Sequence, residues 1–286
     1  MDTTIVESHV GEAGSSRGLA PPSPTPASDS LYGHHGHWKT TTFGARRKLK
    51  RVRAMFDWYL QDLPRDARVL EIGPGRGELA DVLRERGTRY VGLEPSTELH
   101  ADLEARGFDV LCSSVPPIPL GDGSVDAVYS VDVFEHFQTY REAMGVCVEA
   151  YRVLKPGGAL VIVAPNAETL GRLFYEYEYQ HAFVTNKGRL EEMVRDAGFQ
   201  VEKSRAFLTV GGLSPWWPLD RLAAHLLIPL GRSAPFIGAF RVAHLDRLLF
   251  RVHKVLCDHV GLVARKPLDA PVPAQLFLDL EPLSIP

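Results

Sequence analysis

The chain has 286 residues, 45% of them hydrophobic, which leaves room for one large domain with extensions around a packed core. A formal net charge of -3 and a sequence pI near 6.4 exclude a wholesale nucleic-acid binder, although local basic patches remain compatible with both values. Cys112, Cys147 and Cys257 lie far apart, show neither metal-ligand nor redox spacing, and read as small buried hydrophobes of a reducing compartment.

Residues 1–30 are rich in Ser, Pro, Gly and Ala around Pro21-Pro22-Ser23-Pro24-Thr25-Pro26, a composition that predicts a disordered tail. Residues 31–62 begin with Tyr32-Gly33-His34-His35-Gly36-His37-Trp38, which reads either as a metal-binding tract or as a glycine-hinged aromatic flap over a pocket. From Ala45 to Leu60 the apolar positions Leu49, Val52, Phe56 and Leu60 recur at helical spacing, with Arg46, Arg47, Lys48, Lys50, Arg51 and Arg53 between them. This basic amphipathic helix either docks an anionic substrate, RNA or lipid headgroups, or packs beside the domain with a solvated charged face.

A core spanning 63–210 follows as alternating strands and helices: 68–72, 78–86, 89–93, 96–106, 108–111, 125–130, 140–154 and 159–164, then a helix near 187–197 and a strand near 199–210. Such alternation implies a doubly wound α/β fold, a parallel sheet covered by helices on both faces. Its first strand, Val69-Leu70-Glu71-Ile72, runs into Gly73-Pro74-Gly75-Arg76-Gly77, and a helical pattern starts directly afterwards. Glycines at 73, 75 and 77 can take φ > 0 and let a ligand lie against the backbone. The next strand, Arg89-Tyr90-Val91-Gly92-Leu93, ends in Glu94, about 20 residues past the glycines, where such folds bind a ribose. Dinucleotide folds share that logic, but their G-x-G-x-x-G fingerprint would put its third glycine at the position of Glu78.

The G-x-G-x-G spacing instead resembles motif I of class I S-adenosylmethionine-dependent methyltransferases. Three further segments carry the resemblance in order: Leu93-Glu94-Pro95 is similar to the acid after motif I, Ile118 to Asp126 to the segment before the fourth strand, and Arg152 to Gly158 to the turn before the fifth. The resemblance implies a Rossmann-like seven-stranded sheet whose last strand is antiparallel, here Asp258 to Pro267, and S-adenosylmethionine as cofactor. It further implies close backbone approach at Gly73, Gly75 and Gly77, ribose bonding by Glu94 next to Pro95, and orientation of the amino-acid end of the cofactor by Glu71. Ser114 aligns where the family commonly has an Asp that bonds the adenine amino group, so a hydroxyl takes the place of a stronger acceptor.

After the fourth strand comes Val131-Asp132-Val133-Phe134-Glu135-His136-Phe137; if helical, Asp132, Glu135 and His136 share one face. His136 is then the candidate catalytic base, with an unperturbed pKa near neutrality. The same triplet resembles the E-x-x-E-H element of ubiquinone-pathway O-methyltransferases and small-RNA 3′-end methyltransferases, which bind a divalent metal there. By that resemblance His181 is a further ligand, with Asp132 standing in for the first Glu; relatives in which Glu-His only packs or caps leave the metal open.

About 45 residues, 211–256, separate the last two strands, too many for a structureless loop. Leu245, Leu248, Leu249, Val252 and Leu256 share a helical face, and Pro215-Trp216-Trp217-Pro218 adds aromatic surface, so a helical insertion is expected that builds the acceptor pocket, packs on the domain or touches a membrane interface. The last strand occupies 257–267, and 268–286 is a proline-rich tail. No secretory leader is expected, and the longest apolar candidate, Leu222 to Leu230, is interrupted by His225 and Pro229, short of a membrane span. The expected protein is cytoplasmic, in peripheral contact with a membrane if the insertion provides it. The expected reaction is methylation, at oxygen, of a small-molecule or lipid-like acceptor; RNA ribose methylation and a cofactor-binding regulatory protein without turnover are the alternatives.

Overall fold

The computed structural model describes residues 52–53, 55–170, 174–175, 180–208, 235 and 258–269. The expectations for the N-terminal tail, the histidine flap and the C-terminal tail therefore lie outside the described residues, apart from 268–269. So does the 211–256 insertion, of which residue 235 alone is described.

Seven strands form one sheet in the order β3-β2-β1-β4-β5-β7-β6. They are β1 Arg68–Ile72, β2 Arg89–Leu93, β3 Val110–Leu111, β4 Val125–Val131, β5 Leu154–Pro165, β6 Gln200–Leu208 and β7 Asp258–Arg265. β1 to β5 pair in parallel, and β7 runs antiparallel between β5 and β6. The helices are α1 Glu78–Arg86, α2 Thr97–Ala105, α3 Tyr140–Val153, α4 Ala167–Leu170 and α5 Lys187–Asp196.

The two-residue alternation of a strand divides each buried run between two cores. Leu70 and Ile72 of β1 join Val128 of β4 and Leu160 and Ile162 of β5 against α3 and α5 on one face. Val69, Ala127, Tyr129 and Val161 meet α1 and the helical residues 55–60 on the other. Met55, Phe56, Tyr59 and Leu60 are buried there, and each such large side chain gains roughly 1.5–3 kcal/mol on burial. The described part of the apolar stripe, Val52, Phe56 and Leu60, thus packs on the sheet, while Arg53 turns outward to Glu85; Leu49 and the basic residues 46–51 lie outside the described residues.

Helix ends follow their sequence signals. Ser96 and Thr139 accept bonds from Leu99 and Glu142 at the starts of α2 and α3, and Gly87 closes α1 in the left-handed region. Three expectations are corrected. β3 shrinks to two residues. β5 starts at Leu154, directly after α3, because Leu154 pairs with Val125 through a register shift before Ala127; the Lys155-Pro156-Gly157-Gly158 turn is absorbed into the strand. Cys112 is exposed, whereas Cys147 is buried as expected. Among the described residues no helix is long and apolar enough to cross a membrane.

Candidate cofactor and acceptor site

The site lies at the carboxyl ends of β1, β2 and β4, where side-chain burial gives way to loops. Gly73, Gly75 and Gly77 have φ of 68°, 55° and 75°, conformations that L side chains rarely adopt. The three differ in what surrounds them. A Cβ at Gly73 would stand 2.6 Å from Val133 Cγ2, and one at Gly77 would stand 2.5 Å from Leu103 Cδ2, so packing within the chain excludes a side chain at both. A Cβ at Gly75 would meet nothing within 4 Å. Gly75 is therefore the glycine whose open face is left to a ligand.

Glu94 closes over this loop. Its Oε2 accepts from the Gly75 N–H at 2.9 Å and its Oε1 from the Ser96 N–H at 3.0 Å. Burial, with 3% of the residue exposed, pushes its pKa above the usual carboxylate range, partly offset by the two backbone bonds from Ser96 and Gly75. A carboxylate has about four acceptor positions, so each oxygen keeps acceptor capacity beyond its backbone bond. Half-buried Pro95 fixes the chain between Glu94 and Ser96. The Glu94 N–H bonds Leu111 O at the end of β3, which brings the following loop, with half-buried Ser114, toward the same edge.

Glu71, buried on β1, accepts a 2.8 Å bond from the Tyr90 hydroxyl. Gly92 makes room for that contact: a Cβ there would stand 2.8 Å from the Tyr90 oxygen and 3.2 Å from Pro74 Cγ. Burial first, then the field and hydrogen bond of Glu71, raise the Tyr90 hydroxyl well above its ordinary pKa, so it remains a donor. Arg106 is a second residue that sequence reading missed. Its guanidinium donates to Arg76 O at 2.6 Å and to Asp81 at 2.9 Å, tying the glycine loop to α1 and α2. Tyr90 could have been found from its face of β2, shared with Gly92 and Glu71; Arg106 lies past the end of α2 and gave no such signal.

Beyond β4 the expected helical face does not form. Asp132 sits at φ 54°, and only Phe134–His136 form a short 3₁₀ turn. Asp132 instead bonds His259 of β7 at 3.0 Å, while Glu135, His136 and His181 gather with their ligand atoms within 4.8 Å of one another. The grouping is held by the backbone: Glu135 O accepts from Ala182 N and Phe183 N at 2.9 and 3.2 Å. Glu135 is buried, and its Oε1 stands 3.9 Å from His136 Nε2. The His181 ring lies 5.2 Å from that of His136, and its Nδ1 donates to Phe174 O at 2.8 Å, which leaves Nε2 as the acceptor of that imidazole. Chemically the trio can accept a proton or hold a cation.

The chain matches the model of a family described as a methyltransferase domain over residues 43–204. It is 30% identical to an uncharacterised methyltransferase of Mycobacterium tuberculosis over 217 residues, 75% of this chain and 83% of that one. It is 38% identical to a demethylmenaquinone methyltransferase of Thermus thermophilus over 130 residues, 43% of this chain and 56% of that one. The chain spans 57% and 56% of the lengths of the first curated relatives it matches. Among solved structures, a phosphoethanolamine N-methyltransferase of Haemonchus contortus in complex with S-adenosylmethionine superposes with a TM-score of 0.54 at 20% identity, over 76% of this chain and 52% of that one. That likeness concerns the fold.

Proposed function

The chain belongs to the class I S-adenosylmethionine-dependent methyltransferases, and from that premise we propose that it methylates a hydroxyl oxygen of a small or lipophilic acceptor, with His136 as the base. One observation carries this reading: an imidazole, backed by the buried Glu135 carboxylate at 3.9 Å, stands at the carboxyl end of β4, on the sheet edge that also carries the glycine loop and Glu94. The relative named a demethylmenaquinone methyltransferase supports a quinone-derived, lipophilic acceptor.

When bound, S-adenosylmethionine supplies a methyl group on a positively charged sulfur, whose transfer leaves a neutral thioether. The chain's own residues do the rest. Glu94 and the Gly75 backbone would hold the ribose, Ser114 would bond the adenine edge, and Glu71, kept in place by Tyr90, would orient the amino-acid end. Positioning of the acceptor oxygen against the methyl group supplies much of the rate. His136 takes the hydroxyl proton, and Glu135 stabilises the resulting imidazolium. In this reading 63–210 is the cofactor-binding core.

A second reading is favoured by the trio itself. Glu135, His136 and His181 have the donor set of a divalent cation site, and the His181 Nδ1 bond to a carbonyl is the outer contact that ligating histidines commonly make. A cation there would acidify a bound hydroxyl. Asp132 does not join the trio, since it is bound to His259.

The test is turnover of the full chain with S-adenosylmethionine and a panel of demethylmenaquinols, catechols and a single-stranded RNA, read by mass spectrometry, with and without EDTA. Methylation at a hydroxyl oxygen of the quinols or catechols is expected, and methylation at a ring carbon would contradict the oxygen acceptor. Exclusive methylation of RNA would contradict the acceptor class, and EDTA inhibition reversed by a divalent ion would select the cation over the free base.

A further inference from the structure

We propose that His259 is a positioning residue for methyl transfer: by gripping Asp132 it holds the turn after β4 in the one backbone conformation that lays Val133 on the glycine loop and presents Glu135 and His136 to His181. Three observations meet at this contact. Asp132 is the non-glycine residue with positive φ among the described residues, at 54°. Such a conformation is strained and persists where surrounding contacts fix it. The contact that fixes it comes from β7, 127 residues away: the His259 Nε2–H donates to Asp132 Oδ1 at 3.0 Å, the carboxylate being able only to accept. The Asp132 N–H meanwhile bonds Val163 O at 2.9 Å, so the turn leaves the sheet only after this residue.

The residues next in the chain depend on the conformation of Asp132. Val133 stands where a Cβ on Gly73 would come within 2.6 Å of its Cγ2, so its methyl forms a wall of the glycine loop. Val133 O then accepts from His136 N at 3.0 Å, which starts the 3₁₀ turn and sets the direction of His136. A rotation at Asp132 therefore moves both the cofactor loop and the imidazole. His259 itself is fixed by register, paired with Pro165 of β5 on one side and Phe207 of β6 on the other.

A stability role does not account for the pair. The Asp132 side chain is 50% exposed, and ion pairs with so exposed a member contribute little to folding. Its effect is on geometry, where a displacement of about 1 Å costs roughly 10²-fold in rate. The effect on His136 rests on its proposed role as the base; the effect on the glycine loop does not.

The experiment compares His259→Leu, His259→Gln and Asp132→Gly in the full chain. Measured are affinity for S-adenosylhomocysteine by calorimetry, kcat and KM on the quinol acceptor, and Tm. Leu cannot donate to Asp132, whereas Gln can; Gly removes the carboxylate that His259 grips and leaves the backbone at 132 free to rotate. His259→Leu should lose about 10²-fold in kcat and roughly 2- to 30-fold in cofactor affinity, with acceptor KM and Tm little changed. His259→Gln should recover most of both losses, and Asp132→Gly should fall with His259→Leu. Wild-type affinity and turnover in His259→Leu or in Asp132→Gly would overturn the proposal, as would a Gln variant no better than Leu. Should the wild type leave every hydroxyl acceptor unmethylated, the His136 reading fails on its own, and the cofactor affinities alone decide for or against His259.

Discussion

Replacing Glu94 separates what the chain needs from what the cofactor needs. In Glu94→Ala the Gly75 and Ser96 N–H groups lose acceptors at 2.9 and 3.0 Å in a buried place. Each lost bond to a charged group costs about 1.5–3 kcal/mol. Burial opposes that loss, because it disfavours the charged carboxylate and holds its pKa up. The net destabilisation should therefore be that of about one such bond, 1.5–3 kcal/mol, or roughly 2–4 °C in Tm per kcal/mol for a chain of this size. Cofactor affinity carries no such relief, since in the proposed assignment the ribose hydroxyls bond the charged form. Loss of charge-assisted bonds worth about 1.5–3 kcal/mol is a ten- to hundred-fold weaker Kd. Calorimetric titration with S-adenosylmethionine, paired with thermal unfolding of the free protein, reads both quantities. Glu94→Gln keeps one acceptor oxygen and should fall between Ala and wild type. Cofactor affinity within about two-fold of wild type in Glu94→Ala would refute the ribose assignment, whatever happened to Tm.

The glycines make a contrasting pair: Gly77→Ala should destabilise by about 2–4 kcal/mol through left-handed strain and collision with Leu103, while Gly75→Ala should cost stability only the strain of about 1–2 kcal/mol yet weaken cofactor binding. Unfolding curves and calorimetry on the two variants check this. Arg152 donates to Glu149, Asp122, Ile118 O and Leu120 O, so Arg152→Met should leave two loop carbonyls short of donors and lower stability by about 1–3 kcal/mol in denaturant titration. Two carboxylates should shape the pH dependence of stability with opposite signs. Asp126 works against its own burial, but the Arg68 N–H and Lys155 hold its pKa down, so its contribution is present above the unfolded value and lost as pH falls through the lower folded one. Glu94 is raised, so its contribution is present below the unfolded value and lost as pH rises through the folded one. Asp126→Asn should flatten the acid limb of a Tm-against-pH curve, and Glu94→Gln should remove the rise that its protonation gives.

The geometry of the glycine loop and Glu94 was legible because it is local. Gly73 to Glu94 is a single strand-loop-helix-strand unit, and its geometry follows from glycine conformations and one carboxylate at a fixed offset. The acceptor half was legible by composition and not by arrangement. Glu135, His136 and His181 meet as their types suggested, but the i, i+3, i+4 face expected for Asp132 requires a helix that a left-handed residue 132 prevents from starting. Its actual partner, His259, is 127 residues away on a strand whose neighbours are set by sheet order, and no periodicity in the sequence carries that information. Long-range pairing also decides β5. A Pro-Gly-Gly run signals a turn locally, yet the pairing of Leu154 with Val125, and of Gly157 N and Gly158 O with Lys266, draws it into the sheet. Gly77 carries a further demand, the packing of Leu103, which sequence spacing does not reveal.

The proposed reaction requires His136 to remove a proton from a hydroxyl acceptor while the glycine loop and Glu94 hold the cofactor. The most direct measurement is S-adenosylhomocysteine release from S-adenosylmethionine in the presence of a demethylmenaquinol or catechol, for wild type and His136→Ala, with cofactor affinity measured on both. Acceptor-dependent release by the wild type, reduced by about 10²- to 10⁴-fold in His136→Ala at unchanged cofactor affinity, is the expected result. Equal rates in the two proteins would contradict it.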